Sequence, residues 1–523
     1  MSRRKMALLG IVAVALAVTA GWSVSEVASQ GGRLGHAAQH KNMQLVGHDD
    51  LQARSAYQPI VHQHPGGRWI AYVGHHGGTA FNPTTGVVES NGTSIVDVTD
   101  PRHPVYLKHL PGGAGVGEAG GAQMVRACNG SDLPRGAAGA VYILRATASA
   151  HEVWDVTDPA HPSLVKTVIS NLGATHKNWW ECNTGLAYLV SDGRRLDLSV
   201  SDQTYTTADN WRTNRMTQVY DLSNPAAPVF VRNYGLSGQE PGSSGAVPTG
   251  VHGMISTGPP PGIRGISDRI YAGHGTGSDG IMQVVDRRKL LDPTLCSTPP
   301  SANYRKRPTA ADLLCPQIGR MDTSPTMGAH TTFPVLQQPV PEFGRNAAPG
   351  NAPRDLVILV NEAGGNTANG VCEQNRQLVY VVDVTIATGS EARPMGVANF
   401  QVPEASENFC SRGGRFGSHA SNESFTEVFY GKLVFVSWFN AGVRAIDIRE
   451  PWSPREAGFY VPATTANTDQ RCATIGGQEI CKIAIQTNNV EVDDRGLIYA
   501  VDRANTGLHI LELTGDARNI IES

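Results

Sequence analysis

The stretch Ile95-Val96-Asp97-Val98-Thr99-Asp100-Pro101 returns as Val153-Trp154-Asp155-Val156-Thr157-Asp158-Pro159. Val219-Tyr220-Asp221-Leu222-Ser223-Asn224-Pro225 and Ala445-Ile446-Asp447-Ile448-Arg449-Glu450-Pro451 follow the same plan. Shorter copies stand at Val284-Val285-Asp286, Val381-Val382-Asp383-Val384-Thr385 and Ile510-Leu511-Glu512-Leu513-Thr514. Each phrase alternates in the period of a strand, and the full copies end in a proline turn. Successive acidic positions lie 58, 66, 65, 97, 64 and 65 residues apart, so one interval carries an insertion. A carboxylate just before such a turn can accept nearby backbone N–H groups, so Asp97, Asp155, Asp221 and Asp447 read as structural.

Outward from each phrase lies further strand-like sequence. Leu356 to Val360, Leu433 to Ser437 and Leu497 to Val501 precede their phrases, and Pro228 to Tyr234 and Arg455 to Val461 follow theirs. A fourth strand ahead of these brings each repeat to the content of a propeller blade. The expected fold is therefore all-β, a seven-bladed β-propeller of four-stranded blades. The last repeat stops at Thr514 without a fourth strand, and Gln44-Leu45-Val46-Gly47 precedes the first. An N-terminal strand is thus expected to close the last blade and remove an exposed edge. The expected layout is residues 1–22 as signal peptide or membrane anchor, 23–40 as linker, 41–515 as one propeller and 516–523 as tail.

These Val/Ile-Asp-Val-Thr-Asp-Pro phrases resemble the LVIVD-repeat family of exported bacterial propellers. The resemblance spans roughly residues 41 to 515 and implies the fold. It carries over no single activity.

Composition excludes several functions. The chain has 523 residues, a net charge of -3 and only 17% charged residues, with dispersed basic groups, so no nucleic-acid surface is expected. Gly and Pro, 58 and 32 in number, mark a loop-rich globular protein without a collagen period. Ser2-Arg3-Arg4-Lys5 precedes an uncharged run from Met6 to Trp22, which reads as an export signal or anchor and as the sole membrane contact. The expected location is periplasmic, extracellular or membrane-anchored. The eight cysteines include no C-x-x-C pair, which in an exported chain favours disulfides over thiolate metal sites. Consecutive pairing is expected, above all Cys296 with Cys315 and Cys472 with Cys481. Phosphate loops, G-x-S-x-G elbows and H-E-x-x-H helices are absent from the sequence.

A second repeated feature carries the chemistry. Gly250-Val251-His252, Gly328-Ala329-His330 and Gly417-Ser418-His419 share one pattern, and Thr175-His176 stands in the same place. Gln123, Gln486 and His62 occupy the corresponding positions of the remaining repeats. The first strand of each blade lines the channel, so these seven residues should form a ring. Residues after the second strands, including His75, His76, Asp192, His274, Glu362, Asn440 and Asp502, should crowd the same mouth, with Gly-rich loops permitting close approach. Imidazole is a ligand for iron, copper, manganese and zinc. His176, His252, His330 and His419 are the expected ligands of iron or copper, with manganese a further fit, and Glu362 the expected general base. That reading implies a metal-dependent oxidoreductase, or a lyase, acting on a small molecule or glycan. Two other readings fit the same residues. The imidazoles could bond within their own blades, or line a wet channel, in a non-enzymatic surface or periplasmic binding module.

Overall fold

The computed structural model describes residues 35–192, 211–340, 352–362, 378–387, 392–403, 408–475 and 477–523. The expected signal or anchor lies outside them, as do most of the linker and the cysteine Cys372. No helix among the described residues is long and apolar enough to cross a membrane.

The protein is all-β and its sheets are antiparallel. Five four-stranded sheets, one eight-stranded sheet and two hairpins are formed among the described residues. The third repeat gives Thr175–Trp180, Leu186–Ser191, Met216–Asp221 and Val229–Tyr234, paired in that order. The fourth and fifth repeats follow the same up-and-down path, beginning at Val251–Ser256 and Thr331–Gln338. The repeated phrase forms the third strand in six of the units and, in the sixth unit, the strand Val443–Asp447 that follows the edge strand Leu433–Ser437. Its Asp then accepts from the backbone N–H two residues on: Asp97 from Thr99 at 2.9 Å, Asp155 from Thr157 at 2.9 Å and Asp221 from Ser223 at 2.7 Å. Asp286, Asp383 and Asp447 do the same at 2.9, 2.9 and 3.0 Å. This bond fixes the turn that ends the strand.

The first two repeats share the eight-stranded sheet. Trp69–Gly77 runs on past its own unit, and His75 pairs with Ala122 at the start of the second. Glycine makes the junction possible. A Cβ on Gly74 would sit 2.0 Å from the Gln123 carbonyl oxygen, and one on Gly121, at φ +79°, would sit 2.2 Å from that of His75.

The N-terminal segment does more than the sequence led us to expect. Met43–Asp49 pairs with Gly507–Leu513 as the outer strand of the last sheet. Just ahead of it, Gln39–Lys41 pairs with Arg455–Val461 as the outer strand of the sixth. The first and last units also share apolar contacts: Ala71, Val73 and Val96 cluster with Tyr499, Val501 and Ile510. Beyond Thr514 the expected tail is a helix, Gly515–Glu522, which buries Ala517 and Ile520 against Met43 and Phe429.

Disulfides join Cys128 to Cys182, Cys296 to Cys315 and Cys472 to Cys481. Cys410 is also disulfide-bonded. The first bridge ties the opening strand of the second unit to the turn after the opening strand of the third, across 54 residues of sequence. Replacing both Cys128 and Cys182 with Ser is expected to cost about 2–4 kcal/mol, read as a lower melting temperature. A melt superimposable on the native one would show that the bridge adds no stability.

Candidate functional site

The site is built by a bulge that recurs in the innermost strands. Register slips between Ala56 and Pro59, between Ala122 and Met124, and between Thr175 and Asn178. It slips again between Val251 and Gly253 and between Thr487 and Val490. A bulge leaves residues unpaired and re-aims their side chains. The skipped residues include Tyr57, Gln123, His176, His252 and Asn488. His330 and His419 stand at the same level, their N–H groups donating to Val360 and Ser437 at 2.9 Å.

The side chains converge from different units. The Nε2 atoms of His176 and His252 are 2.7 Å apart, and the Tyr57 hydroxyl is 3.0 Å from His176 Nε2. Ring centroids of His252 and His330 lie 3.6 Å apart, and those of His330 and His419 lie 4.4 Å apart. His330, His419 and Glu362 each present a ligand atom, all within 4.8 Å of one another.

Two expected members lie elsewhere. His62 is at the far end of Ala56–Gln63, opposite Ile70, with Nε2 2.9 Å from Asn129 Oδ1. The opening strand starts earlier than the sequence pattern placed it, so Tyr57 takes the position. Gln486 precedes the last bulge; its amide oxygen accepts from Arg415 N at 2.9 Å, and Asn488 stands at the level of the imidazoles. The remaining candidates are divided. His75 lies within 2.7 Å of Ser94 Oγ in its own sheet, His274 is buried beside Gln283, and His76 Nε2 reaches Glu118 at 3.3 Å. Asn440 and Asp502 brace the surrounding loops, Asn440 donating to Gly413 O at 2.9 Å and Asp502 accepting from Gln486 N at 2.6 Å.

Hydrogen bonds orient the imidazoles. His252 Nδ1 faces the His330 carbonyl oxygen at 2.7 Å, and His419 Nδ1 faces that of Asn488 at 2.5 Å. A carbonyl only accepts, so both Nδ1 atoms carry the proton and both Nε2 atoms present a lone pair. His176 Nδ1 meets Gln123 Oε1 at 2.9 Å, with the same consequence. His330 Nδ1 is 2.9 Å from Thr331 Oγ1, and its buried Nε2 has no hydrogen-bond partner among the described residues.

Burial holds all four imidazoles well below their ordinary pKa. For His176 and His419 the nearby Arg215 and Arg503 charges add to it, and for His252 and His330 the neighbouring imidazoles do. They are neutral at pH 7. Burial raises the Glu362 carboxyl and the Glu118 charge adds to that, against Arg415 at 3.1 Å. Burial pushes Glu118 up too, but His76, Arg503 and His176 prevail and hold it well below the carboxylate range. Its side chain is 49% exposed at the rim, and Arg503 lies 3.2 Å away.

Above the imidazoles opens a cavity of about 230 Å³, with Tyr57, Glu118, Arg215, Thr276, Glu362 and Arg415 in its wall. Beneath them the Lys177 ammonium and Arg126 guanidinium grip Glu423, which they hold at about 2 against the opposing effect of burial. Burial and the Glu423 charge push neighbouring Glu491 up to about 7. Of the wall residues, Glu118 stands among glycines at the start of the strand Gly117–Asn129 and Arg415 lies in a Gly-rich loop, the one local signal that marks them. No protein-family model and no curated protein matches the chain.

Proposed function

We propose that this chain is an exported, seven-bladed β-propeller of the LVIVD-repeat kind that holds a transition-metal ion among His176, His252, His330 and His419. We further propose that it uses the ion as an oxidoreductase. The successive four-stranded units, the N-terminal strand on the last sheet and the core shared by first and last units support ring closure. The disulfides support an oxidising compartment.

One observation carries the metal reading. The second ring nitrogens of His176, His252 and His419 are anchored on acceptors, so three lone pairs turn inward. Ligating histidines are held in this way. His176 and His252 bring two such lone pairs to 2.7 Å, a repulsive contact that a shared cation relieves. An imidazole-rich set with one carboxylate at its edge suits iron or copper, and the bound ion would supply one-electron chemistry at the cavity floor. Glu362, raised by burial and beside both His419 and the cavity, is placed to take up or return a proton there.

Elemental analysis of the purified protein tests this. About one equivalent of iron or copper is expected, lost in His330→Ala and His419→Ala variants that remain folded. Protein that carries no metal and regains none from iron, copper, manganese or zinc salts would overturn the reading in favour of a binding module.

A further inference from the structure

The cavity wall carries two guanidinium groups, Arg215 and Arg415, and two carboxylates, Glu118 and Glu362, and a third guanidinium, Arg503, pairs with Glu118 from outside the wall. Arg415 lies 3.1 Å from Glu362, and Arg503 lies 3.2 Å from Glu118. Arg215 is left over. Among the described residues no carboxylate lies within salt-bridge distance of its guanidinium, which lines the cavity half-buried.

Its backbone is fixed on both sides. The Arg215 carbonyl accepts from Val251 N at 3.1 Å and from Thr213 Oγ1 at 3.1 Å, and its own N–H donates to Thr213 Oγ1 at 3.2 Å. Gly250 packs closely enough that a Cβ there would sit 2.9 Å from Arg215 Cβ. The backbone and Cβ are therefore held in place, and the side chain lines the cavity. That charge bears on Tyr57, His176, His252 and Glu362, so Arg215 and the imidazoles look onto one volume.

A partly buried cation without a counter-ion is costly unless a ligand supplies one. Over these five groups, in the metal-free site, the surplus is a single positive charge, which matches a monoanion. The planar fork of a guanidinium matches a carboxylate in two parallel hydrogen bonds. At about 230 Å³ the cavity has room for about eight water volumes, which limits the ligand to a small organic acid.

We propose that the cavity takes a 2-hydroxy or 2-oxo monocarboxylic acid, its carboxylate on Arg215 and its second oxygen toward the imidazoles. This names the substrate class of the proposed enzyme, and its second half rests on the metal reading. Arg215 is a binding residue whose effect precedes any chemistry.

Saturation-transfer NMR with glycolate tests it, using glycolamide as the uncharged isostere and inorganic phosphate as the competing anion. Chelator-stripped wild-type protein is expected to bind glycolate and not glycolamide. Arg215→Met should weaken glycolate about ten- to a hundredfold, the worth of a charged hydrogen-bonded pair. Arg215→Lys, which keeps the charge without the fork, should fall between, and matching circular dichroism melts establish that both variants fold. Iron or copper should then tighten glycolate in the wild type but not in His330→Ala. Arg215 dependence without that tightening would sink the metal reading and leave the anion subsite standing. Undetectable glycolate binding, equal binding of glycolamide, equal binding by Arg215→Met, or preference for phosphate would each overturn the proposal.

Discussion

The chelator-treated protein is expected to unfold as the pH falls from about 6.5 toward 4. Buried histidines decide this, and three that touch no carboxylate among the described residues give its size. His64 and His151 are each lowered by burial to about 4, and His274 to about 3, from an ordinary 6.5. The folded protein keeps these rings neutral while the unfolded chain protonates them. Their stabilisation is thus complete above pH 6.5 and is lost as the pH drops through the folded-state values. Each shift is worth on the order of 3–5 kcal/mol, and three together roughly match the whole net stability of a domain.

Acids raised by burial oppose the trend, Asp49 and Glu362 in direction and two others by large shifts. Burial raises Glu491 to about 7 and Asp502 to about 6, so the fold binds their protons more tightly than the unfolded chain does. They return on the order of 3 kcal/mol each as the pH falls, against a larger set of lowered histidines that also includes His75 and His509. Melting temperatures at pH 7, 6, 5 and 4 check the balance. A melting temperature that holds steady or rises across that series would refute the expectation.

The second large effect belongs to Arg287→Met. Arg287 binds Glu181 through Nε at 2.9 Å and Nη2 at 2.8 Å, and reaches Asp268 at 3.2 Å. Glu181 also accepts from Tyr188 at 2.9 Å and from Ser256 at 2.6 Å. It follows the opening strand of the third unit, whereas Ser256 and Arg287 belong to the fourth. Methionine keeps much of the stem and leaves the Glu181 carboxylate buried without its cation, a loss of about 3–5 kcal/mol. Adding Glu181→Gln removes the stranded charge and should restore part of it. Denaturation midpoints of the two variants read this directly, and a single variant as stable as wild type would contradict it.

The Asp phrases were legible because their information is local. Alternation, a carboxylate and a turn lie within seven residues, and Asp97 and Asp447 close the same bond at opposite ends of the chain. The Gly-x-His pattern likewise revealed His252, His330 and His419. Tyr57 and Asn488 were hidden by the bulges, because register depends on what the neighbouring strand does and slips without a sequence mark. Arg215 escaped for another reason. It lies just before a third strand, and only the packing of Gly250 against it turns a loop arginine into part of the cavity wall. Glu118 and Arg503 gain meaning only through each other, from a strand end and a turn far apart in sequence.

The N-terminal segment that supplies outer strands to the last two sheets imposes an order on synthesis. Met43 finds its partner in Leu513, and Gln39 finds its own in Val461. The earliest part of the body made by the ribosome must therefore wait for almost the latest before it can dock. Until release, two strand edges stay open to protease and to other chains. Protection of residues 39–49 from cleavage thus reports completion of the whole body, and a nascent chain stopped before Gly507 would lack the partner of Met43–Asp49 however well its middle units had folded.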